Sequence, residues 1–292
     1  MRTKAIIPFF GCTLLLAVSC DVKDPIYNTP HPDHGIVALT ADWSAIGKGL
    51  TIPASYTVTA GDYSTTLSGT TNTLDNLFEP GNCRIHVYNT PEHISVSGTV
   101  ATVSEASGNV DGAGKFVDNT PGWLFSTMTD AVIAADTDYT LTATMHQQVR
   151  QLTLLIAPIG GTTDKIENVE GYLSGVAGTL DIDTDEYGHA SNIELDFVRI
   201  TEGTDAGKWA ATMRLLGIAG SQQKLSVLIQ FTNNHPSPVH LDSDLTTELA
   251  VFNTDKRIPL TLSGKVIETP TEAGLSATIN DWIPVWGSGT AD

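Results

Sequence analysis

The sequence predicts an all-β protein built from two β-sandwiches in tandem. Apolar and polar residues alternate over short runs, turn-forming residues cluster between those runs, and capped helical periodicity is scarce. Alternation with period two turns one face of a strand toward a core and the other toward water. Dense short strands with long connections are the mark of sandwiches, and a body this long exceeds a single ordinary one.

In chain order, residues 1–19 read as a secretory signal, with Arg2 and Lys4 ahead of the apolar stretch Ala5–Val18 and the small-residue site Ala17-Val18-Ser19 before Cys20. That stretch is 14 residues long, short of the roughly 20 a membrane-spanning helix needs. Cys20 is the expected site of lipidation, since at the alternative, Cys12, Phe9 and Phe10 stand where small or branched residues are expected and the apolar run would be cut in half. Acyl chains on Cys20 would hold the protein to a lipid bilayer, each buried methylene contributing about 0.8 kcal/mol. Residues 20–34 carry three of the chain's prolines and little hydrophobicity, which reads as a spacer. Folding is expected from residue 35, in an N-terminal sandwich over 35–150 and a C-terminal one over 151–292.

Within those bounds the clearest strands are Ile36–Thr40, Tyr56–Thr59, Arg84–Tyr88, Tyr139–Ala143, Leu152–Ile156 and Leu225–Phe231. Turn chemistry stands between them at Ala60-Gly61-Asp62, Glu79-Pro80-Gly81-Asn82, Asn89-Thr90-Pro91 and Asn233-Asn234-His235-Pro236. Asp242–Asn253 is the one capped helix candidate, of about a turn. Asp164–Leu173 has near-helical spacing at Ile166, Val169 and Tyr172 but reads better as a loop entering a strand. The polar patch His146–Gln151 marks the boundary between the halves. The last stretch, Leu275–Trp286, alternates as a long terminal strand, and Leu275, Ala277, Ile279, Trp282 and Val285 form its apolar stripe. A terminal strand with an unpaired edge is a pairing surface for another chain, so these five residues are the expected assembly surface.

Composition narrows the function. The chain carries 15 Lys plus Arg against 33 Asp plus Glu, and loss of Arg2 and Lys4 with the signal takes the net charge from −18 to −20. Nucleic acid is excluded as a partner, because phosphate binding draws on clustered bases. After Cys20 the remaining cysteine is Cys83, so the mature chain has no pair for an internal disulfide. Cys83 reads as a small buried hydrophobe in its strand.

No motif carries chemistry. The run Gly112–Lys115 suggests a phosphate loop, but Ala113 takes the place of its second glycine and Phe116 that of the hydroxyl residue. Gly171–Gly175 misplaces its serine for a nucleophile elbow. Asp181, Asp183 and Asp185 open like a calcium loop, yet Glu186 and Asn192 stand where glycine and a bidentate glutamate are needed. The histidines lack partners at zinc-ligand spacing, so neither metal nor other cofactor is expected. Five tryptophans, Trp43, Trp123, Trp209, Trp282 and Trp286, are candidates for a sugar platform or for buried anchors. The reading is of a non-enzyme.

One set of segments is more specific. Lys23–Asp33 after the lipidated cysteine, Thr40-Ala41-Asp42-Trp43-Ser44, Leu77–Asn82 leading into Val87–Glu92, and the closing Ala277–Trp282 together resemble the FimB/Mfa2 family of fimbrial proteins from Bacteroidales. The resemblance implies two transthyretin-like Greek-key sandwiches in an outer-membrane lipoprotein of type V pili, with fimbrial stalk subunits as partners and the role of an anchor. It also implies a contrast with stalk fimbrillins, which a trypsin-like protease cuts after a basic residue to free a groove for a donor strand. Here Lys23 and Lys48 are the only basic residues between Cys20 and Asn82. That scarcity favours a subunit that keeps its lipid and first strand. A tip or adhesin subunit of the same pilus, and a glycan-binding surface lipoprotein, are the alternatives.

Overall fold

The computed structural model describes residues 33–108, 114–159, 163–271 and 274–285. The expected signal, Cys20, most of the spacer, Gly112 and Ala113 of the Gly112–Lys115 run, and Trp286 lie outside the described residues.

The chain opens with five strands, β1 (Gly35–Asp42), β2 (Ser55–Ala60), β3 (Tyr63–Ser68), β4 (Thr71–Phe78) and β5 (Gly81–Tyr88). The predicted turns make two of their connections. Gly61 takes φ +59° between β2 and β3, and Gly81 takes φ +137° at the start of β5, conformations a Cβ disfavours. Four short strands come next, β6 (Ile94–Ser97), β7 (Val100–Val103), β8 (Glu105–Ala106) and β9 (Phe116–Val117). Beyond them lie β10 (Phe125–Ile133), β11 (Asp138–Thr144) and β12 (His146–Gln147). The remainder is β13 (Arg150–Ile159), β14 (Ile166–Asp181), β15 (Glu186–Arg199), β16 (Trp209–Leu215), β17 (Lys224–Phe231), β18 (Val239–Asp244), β19 (Leu260–Thr271) and β20 (Gly274–Pro284). The protein is all-β, as its alternation predicts. The helix candidate at Asp242–Asn253 reduces to one turn, α1 (Thr246–Leu249), behind β18, and Asp164–Leu173 is the start of β14.

Two sheets enclose the first core. One has the order β11-β1-β4 and the other β12-β10-β5-β2-β3. Val37, Leu39, Val58, Ile85 and Val87 are wholly buried between them, each such side chain contributing roughly 1.5–3 kcal/mol. The second core lies within the pairing order β18-β17-β14-β15-β16-β13-β19-β20, whose two ends meet where Trp282 Nε1 donates to Ser243 Oγ at 2.8 Å. The stretches 94–108 and 114–124 also feed this core: Ile94, Ala101, Val103, Val117 and Leu124 pack into it, and β7 pairs with β14. The stretch expected as the N-terminal sandwich therefore supplies part of the second core as well.

The halves share a pattern. In each, the leading strand is central, flanked by a parallel partner late in the half and an antiparallel one: β1 by β11 and β4, β13 by β19 and β16.

Candidate functional site

β20 ends the pairing order, so its backbone ladder is paired on one side only, with β18 packed against its other side at Trp282. It pairs antiparallel with β19 from Thr271↔Gly274 to Leu262↔Pro284, and beyond it the Val285 N–H donates to Thr261 O at 2.8 Å. The register shifts between Ser263 and Lys265, and Asp281 opposite that shift takes φ +56°. This is a β-bulge, which inserts one residue and re-aims the side chains beyond it. It explains the sequence pattern, in which apolar residues are two apart up to Ile279 and then three apart to Trp282. The bulge brings Ile279 and Trp282 onto the same face, where both are buried in the second core. They lie over Gly264, whose place no larger residue fits: a Cβ there would stand 2.8 Å from Ile279 Cγ2 and 2.8 Å from Trp282 Cε2.

The five stripe residues thus separate. Ile279 and Trp282 face inward, and Val285 is exposed at the strand's end. Leu275 and Ala277 pair through their backbones with Pro270 and Glu268, and their side chains lie outside the described residues. The surface offered at β20 consists of its backbone edge with Ile283, 57% exposed, and Val285, 46% exposed. The exposure of Ile283 was legible only with the bulge known, since period-two counting from Ile279 places it on the inward, apolar face.

A second polar concentration sits at the waist between the cores, in the patch His146–Gln151. Gln147 and Arg150 are buried there. The Gln147 side chain accepts from the Gly47 N–H at 2.9 Å and donates to Val149 O at 2.7 Å and Lys256 O at 2.6 Å. Arg150 donates to Ile258 O, Val251 O and Phe252 O at 2.7, 3.2 and 2.6 Å and lies over the Phe252 ring. These bonds hold the loop 251–258, which places Asp255, Lys256 and Arg257 on an open cleft of about 690 Å³. The cleft's Arg, Lys and Asp side chains have partners, some of them ionic. Arg84 pairs with Asp130 and Asp183, Arg257 with Asp255, and the Lys256 ammonium donates to Gln148 Oε1 at 3.0 Å.

The other sequence candidates have structural places. Asp181 Oδ1 accepts from the Asp183 N–H at 3.0 Å, Asp183 pairs with Arg84, and Asp185 accepts from the Tyr187 hydroxyl at 3.3 Å, so these carboxylates shape a hairpin tip. Cys83 is half-buried in β5 opposite Ala131, and burial pushes its thiol up from its ordinary value. Trp209 and Trp282 are buried, and Trp43 stacks edge-on against Tyr56 and Phe125. Trp123 packs against both cores beneath the Arg214 guanidinium. Among the described residues no helix is long and apolar enough to cross a membrane.

Comparisons with known proteins agree with this architecture. In solved structures the chain is similar to a candidate adhesin from Bacteroides ovatus ATCC 8483, at 16% identity and TM-score 0.59, covering 91% of this chain and 96% of that one. It is similar to the fimbrial anchor protein Mfa2 from Porphyromonas gingivalis at 12% identity and TM-score 0.56, covering 86% and 97%. At such identities the likeness is one of fold. No curated protein sequence matches the chain. The family model for fimbrillin-A associated anchor proteins Mfa1 and Mfa2 matches residues 58–286, well over half the length, so the chain belongs to that family and is a fimbria-associated subunit.

Proposed function

We propose that the protein is lipidated at Cys20, is held at the outer membrane through the spacer 20–34, and anchors a fimbria by taking the neighbouring subunit along the edge of β20. The observation that carries this reading is that edge: an 11-residue strand at the end of the pairing order, with Ile283 and Val285 exposed beside it. Main-chain bonds along an open edge supply affinity, and flanking side chains supply specificity. The place of β1 supports retention of the N-terminus. A cut after Lys48 would remove a strand that is bonded on both sides, which suits a subunit that keeps its first strand.

A glycan platform built on tryptophan fits less well. Trp209 and Trp282 are buried, and Trp43 and Trp123 are packed against core residues.

Two variants test the proposal. Cys20→Ala is expected to move the protein from the membrane fraction to the soluble fraction, and retention in the membrane would defeat the lipid anchor. Ile283→Lys with Val285→Lys is expected to abolish co-purification with the stalk subunit while leaving the melting temperature unchanged. Undiminished co-purification would remove β20 as the assembly edge.

A further inference from the structure

The topology of the first half bears on what happens when a tethered anchor is pulled. Load on an anchor held at its N-terminus enters β1 at Gly35 and leaves through the C-terminal half, which the chain reaches from the far end of β11 by way of β12 and β13. β1 and β11 are parallel and paired from Ile36↔Asp138 to Asp42↔Thr144. The two strands are therefore drawn from opposite ends. Ladder hydrogen bonds lie across the strand direction, so this pull loads all of them together in shear. The same strands drawn from one end would part bond by bond.

Three further observations reinforce the ladder. β1 is also bonded on its other side, to β4, from Gly35↔Phe78 to Thr40↔Thr71. The pairing is extended ahead of β1 by the Asp136 N–H to His34 O at 2.9 Å, and past the end of β11 by the Met145 N–H to Asp42 O at 2.8 Å. Inward-facing Val37, Leu39 and Ala41 are fully buried. The exit is also narrow. A Cβ at Gly35 would run into Ile133 Cγ2 and lie 2.9 Å from Ala134 O, so a slip of β1 by two residues drives Val37 into a slot too small for a methyl group.

We infer that β1 is a force-bearing strand: its shear-loaded pairing with β11 and β4, closed at the Gly35 slot, is a mechanical clamp that resists extraction of the tethered N-terminus. This rests on the lipid-anchor reading for the direction of load. The clamp itself is a property of the folded chain.

Single-molecule pulling tests it on the full mature chain carrying Cys20→Ser and Cys83→Ser. Asp33→Cys with His146→Cys attaches handles that shear β1 against β11, and Asp33→Cys with Asp138→Cys attaches handles that peel the same pair from one end. All three handle positions are exposed, and matched thermal melts confirm that both variants keep the fold. At equal loading rate the shear geometry is expected to rupture at several-fold higher force, since forced unfolding follows the barrier to leaving the native state. Equal forces in the two geometries would overturn the clamp. A clear difference in force together with membrane retention of Cys20→Ala would leave the clamp standing and overturn its role in holding a lipid tether.

Discussion

Lys256 is a cation held where water scarcely reaches. Its ammonium donates to Gln148 Oε1 and lies 4.9 Å from the centre of the Tyr187 ring, and burial pulls its pKa down from 10.5 to about 8, against the raising influence of the Asp185 charge. A base whose folded pKa lies below its unfolded value is protonated more fully in the unfolded chain between those values. Stability therefore rises with pH from about 8 toward 10.5. Tyr187 acts oppositely above its ordinary value of 10, because burial and Asp185 raise the folded phenol and the unfolded one ionises first. The net rise is thus expected between about pH 8 and pH 10. A shift of this size costs on the order of 3 kcal/mol at neutral pH, at 1.36 kcal/mol for each pKa unit. Lys256→Met is expected to be more stable than the parent at pH 7 by about 1–2 kcal/mol, after the lost hydrogen bond and ring contact. It should also lose the rise above pH 8. Urea titrations at pH 7 and pH 9.5 check both, and a parent curve flat across that range would refute the assignment to Lys256.

At the scale of the element, legibility depended on whether a strand keeps period two. β1, β2, β11 and β17 alternate without interruption through their cores, while β5 and β13 each bury three residues in a row, Ile85–Val87 and Leu154–Ile156, and all six were plain in the sequence as short apolar runs between turns. β14 and β20 contain bulges. In β14 the register shifts between Ile166 and Asn168, which puts Ile166 and Val169, three apart, on one buried face; Tyr172, three further on, lies on the opposite face, and the spacing of the three imitates a helix. In β20 the same device hides Ile283 and turns Trp282 inward. The edge was therefore readable as an edge, while the side chains it presents were not. Glycine in a strand can also mark a close approach of backbones. At Gly171 a Cβ would run into Ser226 O and lie 3.0 Å from Val227 Cα, which is backbone and cannot swing aside. Gly171→Ala is expected to force β14 from β17 and to cost about 1–3 kcal/mol, as overpacking typically does. Denaturant unfolding checks it, and a loss within experimental error would mean that β17 yields freely.

Over the whole molecule the question is whether two cores make two folding units. The waist argues for one. β7 leaves the first half to pair with β14, Arg84 of β5 meets Asp183 at the β14–β15 tip, and the side chains of Gln147 and Arg150 carry the bonds that join the linker to the loop 251–258. The Arg84 pair is partly exposed and contributes little. The buried amide and guanidinium matter more, because removing them strands several backbone groups at roughly 1–3 kcal/mol each. The intact chain is accordingly expected to unfold in a single transition, with far-UV circular dichroism and tryptophan fluorescence coincident. Gln147→Met with Arg150→Met keeps apolar bulk at the waist but leaves the carbonyls of Val251, Phe252, Lys256 and Ile258 without these donors. That variant is expected to lose on the order of 2–5 kcal/mol and to separate the two probes, since Trp209 and Trp282 report the second core and Trp43 the first. Coincident probes in the variant would mean that β7 and the β14–β15 hairpin alone couple the halves, and non-coincident probes in the parent would mean that the cores fold apart.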